Sequence, residues 1–147
     1  HVKNYLDIQK IRYQSEIRDY RIEIPEEINR CRMLKLTLQP LVENAIYHGL
    51  KNTPDGGSIV ISAEYDQQRI TICVRDTGVG IPADLLGSLN YMLINNSTNL
   101  GYGLRNVNIR LKLMFGPEAK VWIESTEGTG TSVYVTVPRI DHETEVN

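Results

Sequence analysis

Four short stretches of this chain hold residue types that can do chemistry, and the first is Leu38–Gly49, LQPLVENAIYHG. At about 100° per residue, Leu38, Leu41, Val42, Ala45 and Ile46 share one helix face, while Glu43, Asn44, Tyr47 and His48 share the opposite one. Asn44 offers a neutral oxygen of the kind that joins Mg²⁺ when water and phosphate oxygens supply the other ligands. The same four side chains would also suit a plain solvated helix face, and the helix alone does not separate the two readings. Zinc fits less well, because His1 and His142 are remote in sequence and no His-Glu-x-x-His occurs.

The second stretch is Asp76-Thr77-Gly78-Val79-Gly80, directly after a β-branched run. Alternation gives Asp76 the parity of Ile70, Ile72 and Val74, so a core-facing apolar side would carry Asp76 inward with it. A carboxylate placed there needs donors. Backbone amides of the glycine turn can supply them, and so can an exocyclic amino group of a bound base; an ordinary Asp-Gly turn is the competing reading. Gly78–Ala83 also fits a Gly-x-Gly-x-x-Ala pattern, but the preceding strand reads as a hairpin arm, whereas dinucleotide binding needs a parallel βαβ unit.

The third stretch, Gly101-Tyr102-Gly103-Leu104-Arg105-Asn106-Val107, has two glycines that admit close approach, followed at once by a helix. The unpaired amides and positive dipole end of such a helix form an anion site. Arg105 in the first turn is electrostatically misplaced unless a polyphosphate reverses the sign. No Gly-x-x-x-x-Gly-Lys-Ser/Thr is present, so this is not a P-loop. The fourth stretch, Thr126–Thr131, reads by itself as a hairpin turn. No nucleophile elbow or acid–base carboxylate pair stands out.

These stretches need a scaffold, and the rest of the chain supplies one. Residues 3–17 have the apolar spacing of a helix, and 20–24 alternate as a short strand ending at Pro25. Thr37 is a candidate N-cap for a helix to about Leu50, with Pro40 in its first turn. Ser58–Tyr65 and Arg69–Asp76 read as a hairpin through residues 66–68; Ala119–Ser125 and Thr131–Val137 read as two further strands. Leu104–Phe115 is helical, and residues 83–103, without Lys or Arg, read as a polar mobile loop around a short helix. The expected fold is a two-layer α/β sandwich, with a mixed sheet and the helices on one face.

With 147 residues, 41% hydrophobic, the chain suits one domain and has no membrane-length apolar run. Sixteen basic against eighteen acidic residues give a net charge of −2, which provides no field for non-specific nucleic-acid binding. Cys31 and Cys73 make neither a disulfide framework nor a zinc site and read as reduced thiols of a cytosolic chain. A start at His1, as if in mid-helix, leads to the expectation of a fragment of a longer protein.

Taken in order, LQPLVENAIYHG, DTGVGIP (76–82), GYGLRNV with Arg110-Leu111, and GTGT (128–131) resemble the ATP-binding boxes of the gyrase/Hsp90/histidine-kinase/MutL superfamily. The resemblance is closest to the catalytic domain of LytS/YesM-like bacterial sensor histidine kinases. It implies a Bergerat-type α+β fold with a mainly antiparallel sheet, spanning residues 18–140. Residues 1–17 would be a helical lead-in from a dimerisation region, and 141–147 a flexible tail. It also implies ATP and Mg²⁺ as ligands: Asn44 on the metal, Asp76 on the adenine amino group, and Gly78 and Gly80 shaping the adenine side. Gly101, Gly103 and Leu104 would offer amides to the phosphates beneath a lid (83–103), with Arg105 beside them. Thr131 would hold the adenine end, and Tyr47 and His48 would stand among the nucleotide contacts.

Hydrolysing members of that superfamily carry a water-activating Glu four residues before the metal-binding Asn, and here that position is Pro40. Transfer to an external acceptor therefore fits better than hydrolysis, with Glu43 as the candidate catalytic carboxylate. The lid lacks a phenylalanine box, since the only Phe is Phe115. The resemblance further implies a phosphoacceptor histidine on an upstream dimerisation domain, a response regulator as indirect partner and no nucleic acid. The parent protein would be a membrane-anchored homodimer with this domain on the cytoplasmic side of the bacterial membrane. The alternatives are an ATP-gated clamp or serine kinase of the same superfamily, and a non-catalytic nucleotide-binding interaction module.

Overall fold

In a computed structural model of the chain, the structure describes residues 2–28, 32–95, 97 and 103–139, less the side chains of residues 2 and 32–36. The β-branched runs form β1 (Ile17–Glu23), β2 (Gly57–Tyr65), β3 (Arg69–Asp76), β4 (Lys120–Thr126) and β5 (Gly130–Pro138). They make one sheet in the order β1-β2-β3-β5-β4. Only β1 and β2 run parallel; the β2/β3, β3/β5 and β4/β5 pairs are antiparallel. The β2–β3 turn is fixed by Asp66, whose Oδ1 accepts the amides of Gln68 (2.7 Å) and Arg69 (2.8 Å).

One face of the sheet is apolar. Ile59, Ile61, Ile70, Ile72, Val74, Val121, Ile123, Val133, Val135 and Val137 are buried there with Leu41 and Val42 of α2 (Arg32–Asn44), Ala45 and Ile46 just beyond it, and Val107 and Leu111 of α4 (Leu104–Phe115). The other face carries Trp122 stacked on Tyr134 at 5.0 Å and a Thr71–Thr136 hydroxyl pair. The expected two-layer sandwich, with a mixed sheet and its helices on one face, is the fold that forms. Cys73 is buried, and burial pushes its thiol up; Cys31 lies outside the described residues.

Three element boundaries differ from the sequence reading. Helix α1 (Val2–Arg12) stops short of residue 17. The Tyr13 carbonyl accepts the amides of both Glu16 and Ile17, a tight reversal that starts β1 three residues earlier than expected. Leu6 of α1 is fully buried in the shared core.

Helix α2 begins at Arg32, so Thr37 is buried within it rather than capping it, and Pro40 sits in mid-helix. A mid-helix proline costs about 3 kcal/mol. Burying Leu38, Leu41 and Val42, with Ile46 just beyond them, outweighs that, at roughly 1.5–3 kcal/mol each. The helix then widens into a π turn, Ala45–Leu50, with Lys51 N–H donating to Ile46 five residues back at 2.9 Å.

The third difference lies in the expected lid. Its first half is a regular helix, α3 (Ala83–Ile94), with Leu89 and Leu93 buried. Asn90 pins it: Nδ2 donates to the Ile123 carbonyl at 2.8 Å and Oδ1 accepts the Ile123 amide at 2.9 Å. Strand β4 is a sheet edge, and the Asn90 carboxamide pairs that edge as a neighbouring strand would. Asn90→Ala leaves both backbone groups without their partner and is expected to destabilise the domain by about 1–3 kcal/mol. Chemical denaturation measures this, and an unchanged midpoint would refute it. Residues 96 and 98–102, with Gly101, lie outside the described residues, as does the tail from residue 140.

Candidate functional site

Asp76 ends β3 on the apolar face, as its parity with Ile70, Ile72 and Val74 predicts, and is only 5% exposed. Its Oδ1 accepts the Gly78 amide at 2.8 Å, and the Thr131 backbone also bonds to the carboxylate. Burial pushes the carboxyl up to about 6, and those two backbone bonds are what offset it. A carboxylate held inside an apolar layer by amides, with no salt bridge to it among the described residues, keeps unspent acceptor capacity.

Glycines wall this residue in. A Cβ on Gly49 would stand 2.5 Å from Asp76 Oδ1 and 2.6 Å from its Cγ. A Cβ on Gly78 would overlap the Gly49 carbonyl, and Val79 N–H donates to that same carbonyl at 3.1 Å. Gly80, at φ +73°, packs against the Thr126 carbonyl; Gly128 N–H closes the contact on Val79 O at 2.7 Å. Thus the DTGVGIP and GTGT boxes, about fifty residues apart in sequence, interlock through the backbone. Thr131 stands directly opposite Asp76 in the β3/β5 register and is buried.

A second focus lies where α2 and α4 meet. Gln39, Pro40, Glu43, Gly103, Asn106, Val107 and Arg110 line a cavity of about 500 Å³. Glu43 Oε1 accepts from Gln39 Nε2 at 3.2 Å. Helix α4 starts from Gly103 at φ +70°, with no side chain capping it among the described residues. The start of α4 thus borders an opening that Arg110 also lines, a setting suited to an anion. Leu104 is a core side chain, so it offers only its backbone; Arg105 is exposed.

The Asn44 Oδ1 is buried with no hydrogen-bond partner among the described residues. Such an atom costs stability unless something else ligates it. No group of three His, Cys, Asp or Glu that could hold a metal occurs among the described residues. One neutral oxygen therefore fits a Mg²⁺ that takes its remaining ligands from phosphate and water.

Tyr47 and His48 sit on the π turn. The Tyr47 hydroxyl pairs with that of Tyr13 at 2.9 Å, its ring meets the Tyr13 ring edge-on, and Lys51 lies 5.2 Å from its centroid. His48 is exposed at the residue level, yet partial burial lowers its pKa, favouring the neutral ring.

The sequence reading missed Gly49 as a contact of Asp76, and it missed Gln39, Asn106 and Arg110 as cavity walls. It also missed Ser125, whose Oγ contacts both Gly130 O and Thr131 Oγ1 at 2.8 Å. Gly49, Asn106 and Arg110 stand inside the quoted motifs, and only three-dimensional contact assigns them a place.

Fold and site together define a class: a two-layer α/β sandwich with an acidic, glycine-walled row at one sheet end and an open helix start beside α2. The chain belongs to the family of histidine kinase-, DNA gyrase B- and HSP90-like ATPases, whose match spans residues 29–141. It is 33% identical over 138 residues to the sensor protein LytS of Staphylococcus epidermidis, covering 93% of this chain and 23% of that protein. It is 32% identical to the sensor histidine kinase YesM of Bacillus subtilis, covering 93% of this chain and 22% of that one. The chain thus spans under a quarter of the length of these curated relatives. Among solved structures, the catalytic domain of histidine kinase ThkA superposes with a TM-score of 0.65 at 24% identity, covering 95% of this chain and 88% of that one. The mycobacterial sensor histidine kinase MprB superposes at 0.56 with 15% identity, covering 93% and 92%. At these identities the two structures establish the fold alone.

Proposed function

We propose that this chain is the ATP-binding catalytic module of a two-component sensor histidine kinase. In this reading it presents the γ-phosphate of ATP to a histidine on a separate, dimeric domain, from which a response regulator is phosphorylated. Asp76 carries the reading: a buried carboxylate with spare acceptor capacity, and no salt bridge among the described residues, is suited to an exocyclic amino group. Gly78 and Gly80 shape the same end, and Thr131 lies beside it.

At the other end, the α4 start (Gly103, Leu104), Arg105 and the cavity walls Asn106 and Arg110 would receive the phosphates, together with Gly101. Asn44 would hold Mg²⁺, which when bound neutralises phosphate charge. Glu43 would face the acceptor across the cavity, oriented by Gln39. Tyr47 and His48 would flank the nucleotide on the π turn. The chain's contribution is then positioning and charge neutralisation, as phosphoryl transfer demands.

Pro40 lines the cavity four residues before Asn44, where hydrolysis would need a carboxylate. Steady-state ATP turnover by this chain is accordingly expected to be negligible, and transfer is expected once the histidine-bearing domain is added. Incubation with labelled ATP·Mg²⁺, with and without that domain, tests both. Brisk hydrolysis by the chain alone would instead favour the gated clamp, and nucleotide binding without transfer would favour an interaction module.

Asn44→Ala is expected to abolish the Mg²⁺ dependence of ATP affinity while leaving metal-free nucleotide binding within about twofold. Calorimetric titration with and without Mg²⁺ measures it. A retained Mg²⁺ effect would remove Asn44 from the metal site. In the full-length protein this domain would work on the cytoplasmic side of the membrane, as a homodimer.

A further inference from the structure

Three strands bring their last inward-facing positions to the same end of the sheet, and all three depart from the apolar pattern. Along β3 the sequence of buried positions is Ile70, Ile72, Val74 and then Asp76; along β5 it is Val137, Val135, Val133 and then Thr131. Along β4 it is Val121, Ile123 and then the half-buried Ser125. Register makes these terminal residues direct neighbours, Asp76 opposite Thr131 and Thr131 opposite Ser125. Residues directly opposite across a ladder point to the same face. Ser125, Thr131 and Asp76 therefore form one continuous polar row.

Proton arithmetic gives this row a direction. Ser125 Oγ accepts the Ile81 amide at 2.8 Å and donates its single proton to the Gly130 carbonyl at 2.8 Å, an atom that can only accept. Its third contact, Thr131 Oγ1 at 2.8 Å, is then satisfied only if Thr131 is the donor. With its proton turned toward Ser125, the Thr131 hydroxyl has only lone pairs left for a neighbour. Ionised Asp76 likewise only accepts.

We propose that Ser125 is a specificity-positioning residue: by accepting the hydrogen bond of the Thr131 hydroxyl it makes the Asp76–Thr131 row acceptor-only and so selects a 6-amino over a 6-oxo purine. The inference rests on the adenine reading of Asp76 given above. Without Ser125, the Thr131 hydroxyl can rotate and offer its proton to a 6-oxo group. Ser125 contacts the nucleotide only through this ordering. Removing it should alter discrimination more than overall binding.

The test compares ATP with ITP, which differs by carrying an oxo group and a ring N–H at the same edge. Affinities are measured by titration for the parent, Ser125→Ala, Ser125→Cys and Ser125→Thr. The parent should prefer ATP. Ser125→Ala should lower the ATP:ITP affinity ratio by about 5- to 20-fold, mostly by gaining ITP affinity, and Ser125→Thr, which keeps a hydroxyl, should restore it. Ser125→Cys keeps the volume with a weak hydrogen-bonding group and should resemble Ser125→Ala, which provides the answer if the alanine variant fails to fold. A parent that prefers ATP together with Ala and Cys variants that keep its ratio overturns the role of Ser125 alone. A parent that binds ATP and ITP equally overturns the adenine reading itself.

Discussion

Replacing Asp76 by Asn is expected to make the nucleotide-free domain more stable and its adenine binding weaker. Burial lifts the carboxyl to about 6, so the folded protein at neutral pH holds a charge that the unfolded chain carries at lower cost. That is a cost of about 2–3 kcal/mol, an order-of-magnitude figure from two pKa units at about 1.4 kcal/mol each. The carboxamide of Asp76→Asn keeps an acceptor for the Gly78 amide and removes the charge. The same change turns one acceptor facing the base into a donor and should weaken ATP binding by about 1–3 kcal/mol. Residues that lower stability while equipping a site are expected where function overrides packing.

The pH dependence separates the two effects. A folded-state pKa above the unfolded one means the native state binds its proton more tightly, so this group's contribution to stability falls as pH rises from about 4 to about 6. Asp7 and Asp66 are shifted the other way, by Lys3 and by backbone amides respectively, and lose stability as pH falls. Both are common to parent and variant, so the difference between their stability curves isolates Asp76. Over the same window ATP affinity should rise with pH, because only the ionised carboxylate is a pure acceptor. Urea unfolding and ATP titration from pH 4.5 to 7.5 should show the parent, relative to the Asp76→Asn variant, losing stability and gaining ATP affinity as pH rises. Parallel stability curves for the two proteins would mean the charge on Asp76 is not a burden.

How much of this could be read from the letters depends on the range of the interaction. Parity along one strand placed Asp76 inside, and helical spacing placed Leu38, Leu41, Val42, Ala45 and Ile46 in the core, because both patterns repeat within a single element. Helix α4 and the β2–β3 hairpin were legible for the same reason, through Gly103 before one and Asp66 within the other. The start of α2 was not, since a Thr three residues before a Pro is a good local start signal, yet the helix already begins at Arg32. The π turn at Ala45–Leu50 leaves no mark in residue type. Asn90 reads as a polar residue in a loop until β4 is known to be an edge, and Ser125 gains meaning only when the register sets it opposite Thr131.

Gly78→Ala is expected to have a large effect on the fold itself. Asp76, Gly49 and Gly78 are stacked against one another: the carboxylate rests on Gly49, and Gly78 rests on the Gly49 backbone. A methyl group on Gly78 would overlap the Gly49 carbonyl and lie 2.5 Å from its Cα, and neither backbone has a side-chain torsion with which to yield. The 76–82 turn must then lift away, giving up the Val79–Gly49 bond and the Gly78 amide that holds Asp76. Overpacking of this kind costs about 1–3 kcal/mol, and the lost bonds add about 1 kcal/mol, so a total near 2–4 kcal/mol and a fall of several degrees in Tm are expected. Gly49→Ala should act differently, because its methyl meets the tip of a side chain: Asp76 is displaced, and adenine binding suffers more than stability. Gly87→Ala, in α3 with nothing within 4 Å of the added carbon, should instead stabilise the domain by about 0.5–1 kcal/mol. Thermal melts of the three variants, each with and without ATP, check the ordering. A Gly78→Ala protein that melts with the parent and keeps its affinity would mean that the close packing of these glycines is not what holds Asp76 in place.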